Sequence, residues 1–153
     1  MTDSTTTTTP TTSTTPTTIT ITTGRFTSAD WQEHPSGAAD ASPRLARARV
    51  TNEFTGGIEA AATVCEYTLC YATEKTGAFN GLELLTGRLD GRTGAFVVEQ
   101  RGTFHEDGSV RCAFEVVPDS GTGALAGLRG SGSFVTVPGE SAVSYTFEYH
   151  GLG

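Results

Sequence analysis

Two Asp-Gly pairs, Asp90-Gly91 and Asp107-Gly108, constrain this chain more than anything else in it. Both lie in the stretch FNGLELLTGRLDGRTGAFVVEQRGTFHEDGSVRCAFEVV, residues 79–117, each between runs of alternating or continuous apolar residues. A type I′ hairpin turn needs φ > 0 at both central positions, and Asp-Gly meets that need at little cost. Three extended segments joined by two tight turns follow. A chain with an antiparallel meander in its middle must extend that sheet or close it.

The flanking sequence reads as more sheet. Residues 1–18, MTDSTTTTTPTTSTTPTT, have nothing apolar to bury and read as a disordered Thr/Pro-rich tail. The barrel-forming part is then 19–153. ITITTGRF from Ile19 reads as a first strand, left at Ser28–Trp31 for a loop rich in turn formers. Trp31, the single tryptophan, reads as a plug on one end of the core or as a ligand contact. Residues 44–54 alternate, with Ala46, Ala48, Val50 and Phe54 on one side and Arg47, Arg49, Thr51 and Glu53 on the other. Gly56-Gly57 turns the chain into a long segment, 58–73. Pro118 breaks a later strand, a Gly-rich crossing with one short helical turn follows, and two strands end the chain. Eight mostly antiparallel strands at regular spacing predict an all-β barrel or sandwich.

Turn length fixes which side chains share a face, because a one-residue slip turns every side chain over. A four-residue loop at 74–77 places Thr73 opposite Ala78 and makes Glu66 and Glu83 diagonal neighbours, roughly 7–8 Å apart. Two-residue turns at the Asp-Gly pairs then place Glu83 opposite Val98 and Gln100 opposite Glu115. One face carries Glu66, Glu83, Gln100 and Glu115 among Phe79, Leu85, Phe96, Val98 and Val117. The other carries Cys65, Tyr67, Leu69, Leu82, Leu84, Val97, Cys112, Phe114 and Val116, with Glu99 and Arg101. Two placements fit. If the glutamate face lines a lumen, desolvation and mutual repulsion raise a carboxyl pKa and suit acid/base work. If it faces water, the Tyr/Leu/Phe face is the core. Mixed character on both faces suits a small barrel that also packs against another subunit, a homo-oligomer.

Several function classes are excluded at this level. A formal net charge of −7, with Arg44, Arg47 and Arg49 as the local basic cluster, lacks the footprint a nucleic-acid partner requires. No apolar run approaches the ~20 residues of a membrane span. Three cysteines without CxxC spacing suggest neither a disulfide framework nor zinc, and His34, His105 and His150 have no metal spacing. With no signal-peptide pattern at the N-terminus, the expectation is a cytoplasmic protein without metal or cofactor. The stretch SGTGALAG, residues 120–127, lacks the spacing and the βαβ setting of a dinucleotide fingerprint and reads as a tight crossing.

The segments from Gly81 to Phe96 and from Val116 to Gly130 fit GLE-x-x-x-G-x-L-x-G-x-x-G-x-F and VVP-x-SGTG-x-L-x-GL-x-G. In these motifs the chain resembles a bacterial family known as domain of unknown function 3224. That resemblance implies an eight-stranded barrel similar to allene oxide cyclase, a fold whose members hold a small apolar ligand and steer its cyclisation without a cofactor. The family pattern has Gln-His where this chain has Glu99-Gln100, so Glu83 is kept while a histidine is replaced by Gln100.

Two functions follow as expectations. The first is a cofactor-free barrel that binds a small apolar or amphipathic metabolite and cyclises or isomerises it. Glu83 would be the acid/base or polar anchor, Gln100 a hydrogen-bond donor, and Glu66 and Glu115 pKa-setting neighbours. Phe96, Leu85, Val98 and Trp31 would contact the ligand. The second is a non-catalytic binding or assembly module whose lumen is filled by Phe96, Leu85 and Val98.

Overall fold

Inward positions along the strands are mostly apolar or small, with Asn52, Thr63, Glu83 and Gln100 as the buried polar exceptions, so the sheet has a side that closure buries. A computed structural model describes residues 18–153. In it eight strands follow one another around a closed, antiparallel barrel: β1 (Thr20–Ser36), β2 (Arg44–Gly56), β3 (Ile58–Tyr71), β4 (Gly77–Leu89), β5 (Arg92–Phe104), β6 (Val110–Val116), β7 (Arg129–Thr136) and β8 (Val143–His150). β8 pairs back onto β1, with Thr20 opposite Tyr149. The barrel expectation holds; the tail expected at 1–18 lies outside the described residues except for residue 18. No helix among the described residues is long and apolar enough to cross a membrane.

The two ends of the barrel differ. At one end Phe147, Leu89, Leu125, Leu128, Ile58, Leu85 and Phe96 pack with at most 2% of each side chain's residue exposed. The segment after β6 closes this end. Val117 N–H bonds to Val97 O, and the Ser120 and Thr122 hydroxyls accept the Val97 and Ala95 N–H groups, so pairing with β5 continues past the end of β6. A 3₁₀ turn, Gly123–Leu125, then carries Leu125 into the core. The stretch 120–127 is therefore a structural latch and plug. Asp90 ties the same end together, accepting hydrogen bonds from Thr22 and Tyr149.

Register corrects the sequence reading at two of three turns. Asp90-Gly91 is the expected two-residue turn, with Leu89 opposite Arg92 and φ of 46° and 86°. The β3–β4 loop has five residues, not four, and pairs Tyr71 with Gly77. The β5–β6 loop also has five residues, 105–109, and pairs Phe104 with Val110. Both changes alter parity. Glu66 and Glu115, expected beside Glu83, therefore stand exposed on the outer surface, where Glu66 faces Leu82 and Glu115 faces Glu99. The inner face combines parts of both expected faces: Glu83, Gln100, Leu85, Phe96 and Val98 with Cys65, Tyr67, Leu69, Cys112, Phe114 and Val116.

β1 also departs from expectation, running on to Ser36 rather than ending near Ser28. A bulge between Ala29 and Gln32, with Asp30 at φ 59°, absorbs the irregularity within the strand. A second bulge, in β3 between Glu59 and Val64, carries Ala62 at φ 54°. Bulges shift the alternation by a residue: the first puts Trp31 out of step with Phe26, and the second puts Ile58 and Ala60 out of step with Thr63 and Cys65.

Candidate functional site

Glu83 sits in the middle of the lumen with 1% of its surface exposed. Alternation along β4 forces it inward between Gly81 and Leu85, and a buried carboxylate must find partners there. It finds three. Asn52 Nδ2 donates to Oε2 at 2.7 Å, Thr63 Oγ1 donates to Oε2 at 2.8 Å, and Gln100 Nε2 donates to Oε1 at 2.7 Å. The donors come from β2, the β3 bulge and β5. Thr63 keeps the inward alternation of Cys65 and Leu69, and the bulge lets Ile58 and Ala60, one step out of phase, point inward too.

A second ring of contacts orients the two amides. Ser28 Oγ donates to Asn52 Oδ1 at 2.6 Å, and Tyr67 Oη donates to Gln100 Oε1 at 2.6 Å. The Cys112 thiol also faces Gln100 Oε1, at 3.6 Å. Burial pushes the Glu83 carboxyl above the usual carboxylate range, while its three donors pull the other way. Burial pushes Tyr67 and Cys65 up as well, with the Glu83 charge adding to both. Cys112 is pushed up to about 12, first by burial. These thiols therefore stay neutral and are not activated nucleophiles.

Above this network the barrel opens. A cavity of about 280 Å³ lies at the mouth, at the lower edge of the ~300–1,000 Å³ of small-molecule sites. Its wall is aromatic, from Phe26, Trp31, Tyr67, Tyr71, Phe79, Phe104 and Phe134, with Val50, Leu69 and Val110 between them and Ser28, Asn52 and Thr136 as polar groups. Phe26, Asn52, Tyr67 and Phe134 also line a void of about 20 Å³ beneath it, which touches Glu83 and Gln100. At the lip, Glu33 accepts hydrogen bonds from Trp31 Nε1 at 3.2 Å and Tyr71 Oη at 2.6 Å. Trp31 rests against Tyr67 with ring centroids 6.1 Å apart, half exposed rather than plugging the core.

The geometry thus brings some expected site residues together and separates others. Glu83 and Gln100 meet directly, and Trp31 borders the cavity. Gln100 Nε2, expected to donate to a ligand, donates one of its hydrogens to Glu83. Leu85, Phe96 and Val98 belong to the packed half and do not line the mouth cavity. Glu66 and Glu115 lie outside the barrel. Asn52, Thr63, Tyr67 and Ser28 were missed. Asn52 had a signal: it shares parity with Val50 and Phe54, and an amide at an inward position of a strand needs a buried partner. Thr63 had the same signal, sharing parity with Cys65 and Leu69; what nothing in the alanine run announced was the bulge that keeps Ile58 and Ala60 inward as well. No group of three or more His, Cys, Asp or Glu side chains among the described residues could hold a metal ion.

Fold and site together define an antiparallel eight-stranded barrel, packed at one end and open at the other onto an apolar cavity with a polar floor. The family model described as protein of unknown function DUF3224 matches residues 22–149, and the chain belongs to that family. It is similar to a protein of unknown function from the DUF3224 family of Shewanella oneidensis MR-1, solved by crystallography. That likeness has a TM-score of 0.67 at 28% identity, over 86% of this chain and 97% of the other. No curated protein matches the chain.

Proposed function

We propose that this protein is a small-molecule-binding barrel whose ligand enters the open mouth and rests on the Ser28–Asn52–Tyr67 floor. One observation carries the reading: an aromatic-walled cavity of about 280 Å³ ends on a polar chain anchored by a buried carboxylate. Apolar walls supply affinity, while a few fixed polar groups set orientation. A packed lumen would have favoured the assembly module; here only the closed half is packed.

Catalysis in this reading takes the form expected of barrels like allene oxide cyclase, cyclisation or isomerisation of an apolar metabolite held in one reactive conformer. Glu83 then acts through the amides that it orients, because Asn52, Gln100 and Tyr67 lie between it and the cavity. Three free cysteines, two of them buried, support a reducing compartment.

The test is native mass spectrometry of protein purified from its own host, followed by denaturing extraction of anything bound. A stoichiometric small molecule displaced by the substitution Val110→Trp, which fills the mouth, is the expected result. A ligand retained by that variant, or an empty barrel from every preparation, overturns the reading.

A further inference from the structure

We infer that the mouth cavity selects its ligand by a hydrogen-bond-donating head group, a protonated amine above all, and rejects carbonyl and carboxylate head groups. The inference rests on the binding reading above and adds the chemistry of the ligand.

It follows from the direction in which protons point. Glu83 receives three donors and is offered no acceptor, the arrangement of an ionised carboxylate, which can only accept. Its charge fixes both amides with nitrogen inward and oxygen outward. The outward oxygens then take the protons of the next groups: Asn52 Oδ1 takes that of Ser28, and Gln100 Oε1 takes that of Tyr67. Asn52 and Gln100 are each only 3% exposed, so the floor offers the cavity chiefly the Ser28 and Tyr67 oxygens. With their hydrogens committed, these two oxygens present lone pairs.

The lip repeats the pattern. Trp31 and Tyr71 both direct their hydrogens to Glu33. Among the described residues no basic side chain lines the cavity; Arg44 lies at the lip, 3.8 Å above the Tyr71 ring centroid. Aromatic faces carry negative potential and attract cations, more strongly once water is excluded. An acceptor floor over a buried negative charge, walled by rings, fits an ammonium on a compact apolar body. At the floor a ketone or carboxylate would meet lone pairs with lone pairs; among the described residues the one lining hydroxyl with an uncommitted hydrogen is that of Thr136, which accepts the Val110 N–H.

The probes are four molecules of one shape: 1-adamantylamine, 1-adamantanol, 2-adamantanone and 1-adamantanecarboxylate. Each is titrated into the full-length protein by calorimetry, with emission of the single tryptophan, Trp31, as a second readout of the cavity. The amine is expected to bind tightest, then the alcohol, with the ketone and carboxylate weaker than the amine by about tenfold or more, the worth of one good polar contact. Glu83→Gln introduces a donor among three donors and forces one amide to turn over. That frees a floor hydroxyl to donate outward, so the amine's advantage over the ketone should shrink. Tyr67→Phe, which removes one of the two floor oxygens and leaves the ring, should shrink it too and serves as the test should Glu83→Gln fail to fold. Equal binding of all four probes, or a preference for ketone or carboxylate, overturns the inference and leaves the binding reading standing. If none binds, the binding reading falls and this inference falls with it.

Discussion

Glu83 is a carboxylate that the fold has to bury and then satisfy, and its titration makes that visible. Burial raises its folded-state pKa above the ordinary 4.5. Between 4.5 and that raised value the folded chain keeps a proton that the unfolded chain has released. The stability associated with the protonated form is therefore fully present below 4.5 and is lost as pH rises through the folded-state pKa. In Glu83→Gln this titration is absent. Urea midpoints of the two proteins from about pH 4 to about pH 8 should show the wild-type advantage over the variant declining as pH rises. A difference that is flat with pH would mean that Glu83 titrates as it does in water. Replacing Glu83 by Leu strands three buried donors at once, each worth about 1–3 kcal/mol. That variant should lose about 3 kcal/mol or more in the same urea experiment, a larger loss than Glu83→Gln.

Elements decide which residues can reach Glu83, and here the turns matter more than the strands. Gly81 shows how tightly β3 and β4 are matched. A Cβ placed there would lie 2.3 Å from the Glu66 carbonyl oxygen and 2.6 Å from the Tyr67 ring. A carbonyl in a sheet ladder cannot swing aside, so Gly81→Ala should cost about 1–3 kcal/mol and shift Tyr67 from the cavity wall, seen as a change in Trp31 emission. Ser120→Ala should cost about 1 kcal/mol and raise the amide exchange rate of Val97, whose N–H bonds to that hydroxyl at 3.1 Å.

The legible part of this fold follows from the same physics. Alternation and Asp90-Gly91 announced an antiparallel meander, and the register across that turn, Glu83 opposite Val98, was read correctly. Asp107-Gly108 misled because it sits inside a longer loop. The Asp107 side chain accepts from the Ser109 N–H and hydroxyl, and His105 N–H bonds to Ser109 O, closing five residues rather than two. Loop length depends on such side-chain and backbone pairings, not on the dipeptide alone. One odd step at each of two loops moved Glu66 and Glu115 outside and brought Tyr67 and Cys112 in. The bulges at Asp30 and Ala62 were equally silent, because positive φ at these residues is paid for by tertiary pairing.

At the scale of the whole molecule, the proposed function puts stability and binding at opposite ends of one barrel. The closed end holds the aromatic and leucine core with its Leu125 plug, and the open end holds the cavity. Substitutions at the two ends should therefore separate the two properties. Leu125 is fully buried, and Leu125→Ala leaves a hole in close-packed surroundings at a cost of about 2–5 kcal/mol. Its side chain does not line the mouth cavity, so affinity measured where the variant remains folded should change less than about twofold. Val110 opens β6 at the mouth and is only half-buried. Val110→Trp adds volume where space already exists, so it should keep the urea midpoint within about 1 kcal/mol of wild type while abolishing adamantylamine binding. Should Val110→Trp bind as well as wild type, the ligand does not occupy this cavity. Should Leu125→Ala lose binding while still folded, the two ends are coupled, and the packed half acts as part of the site rather than as its support.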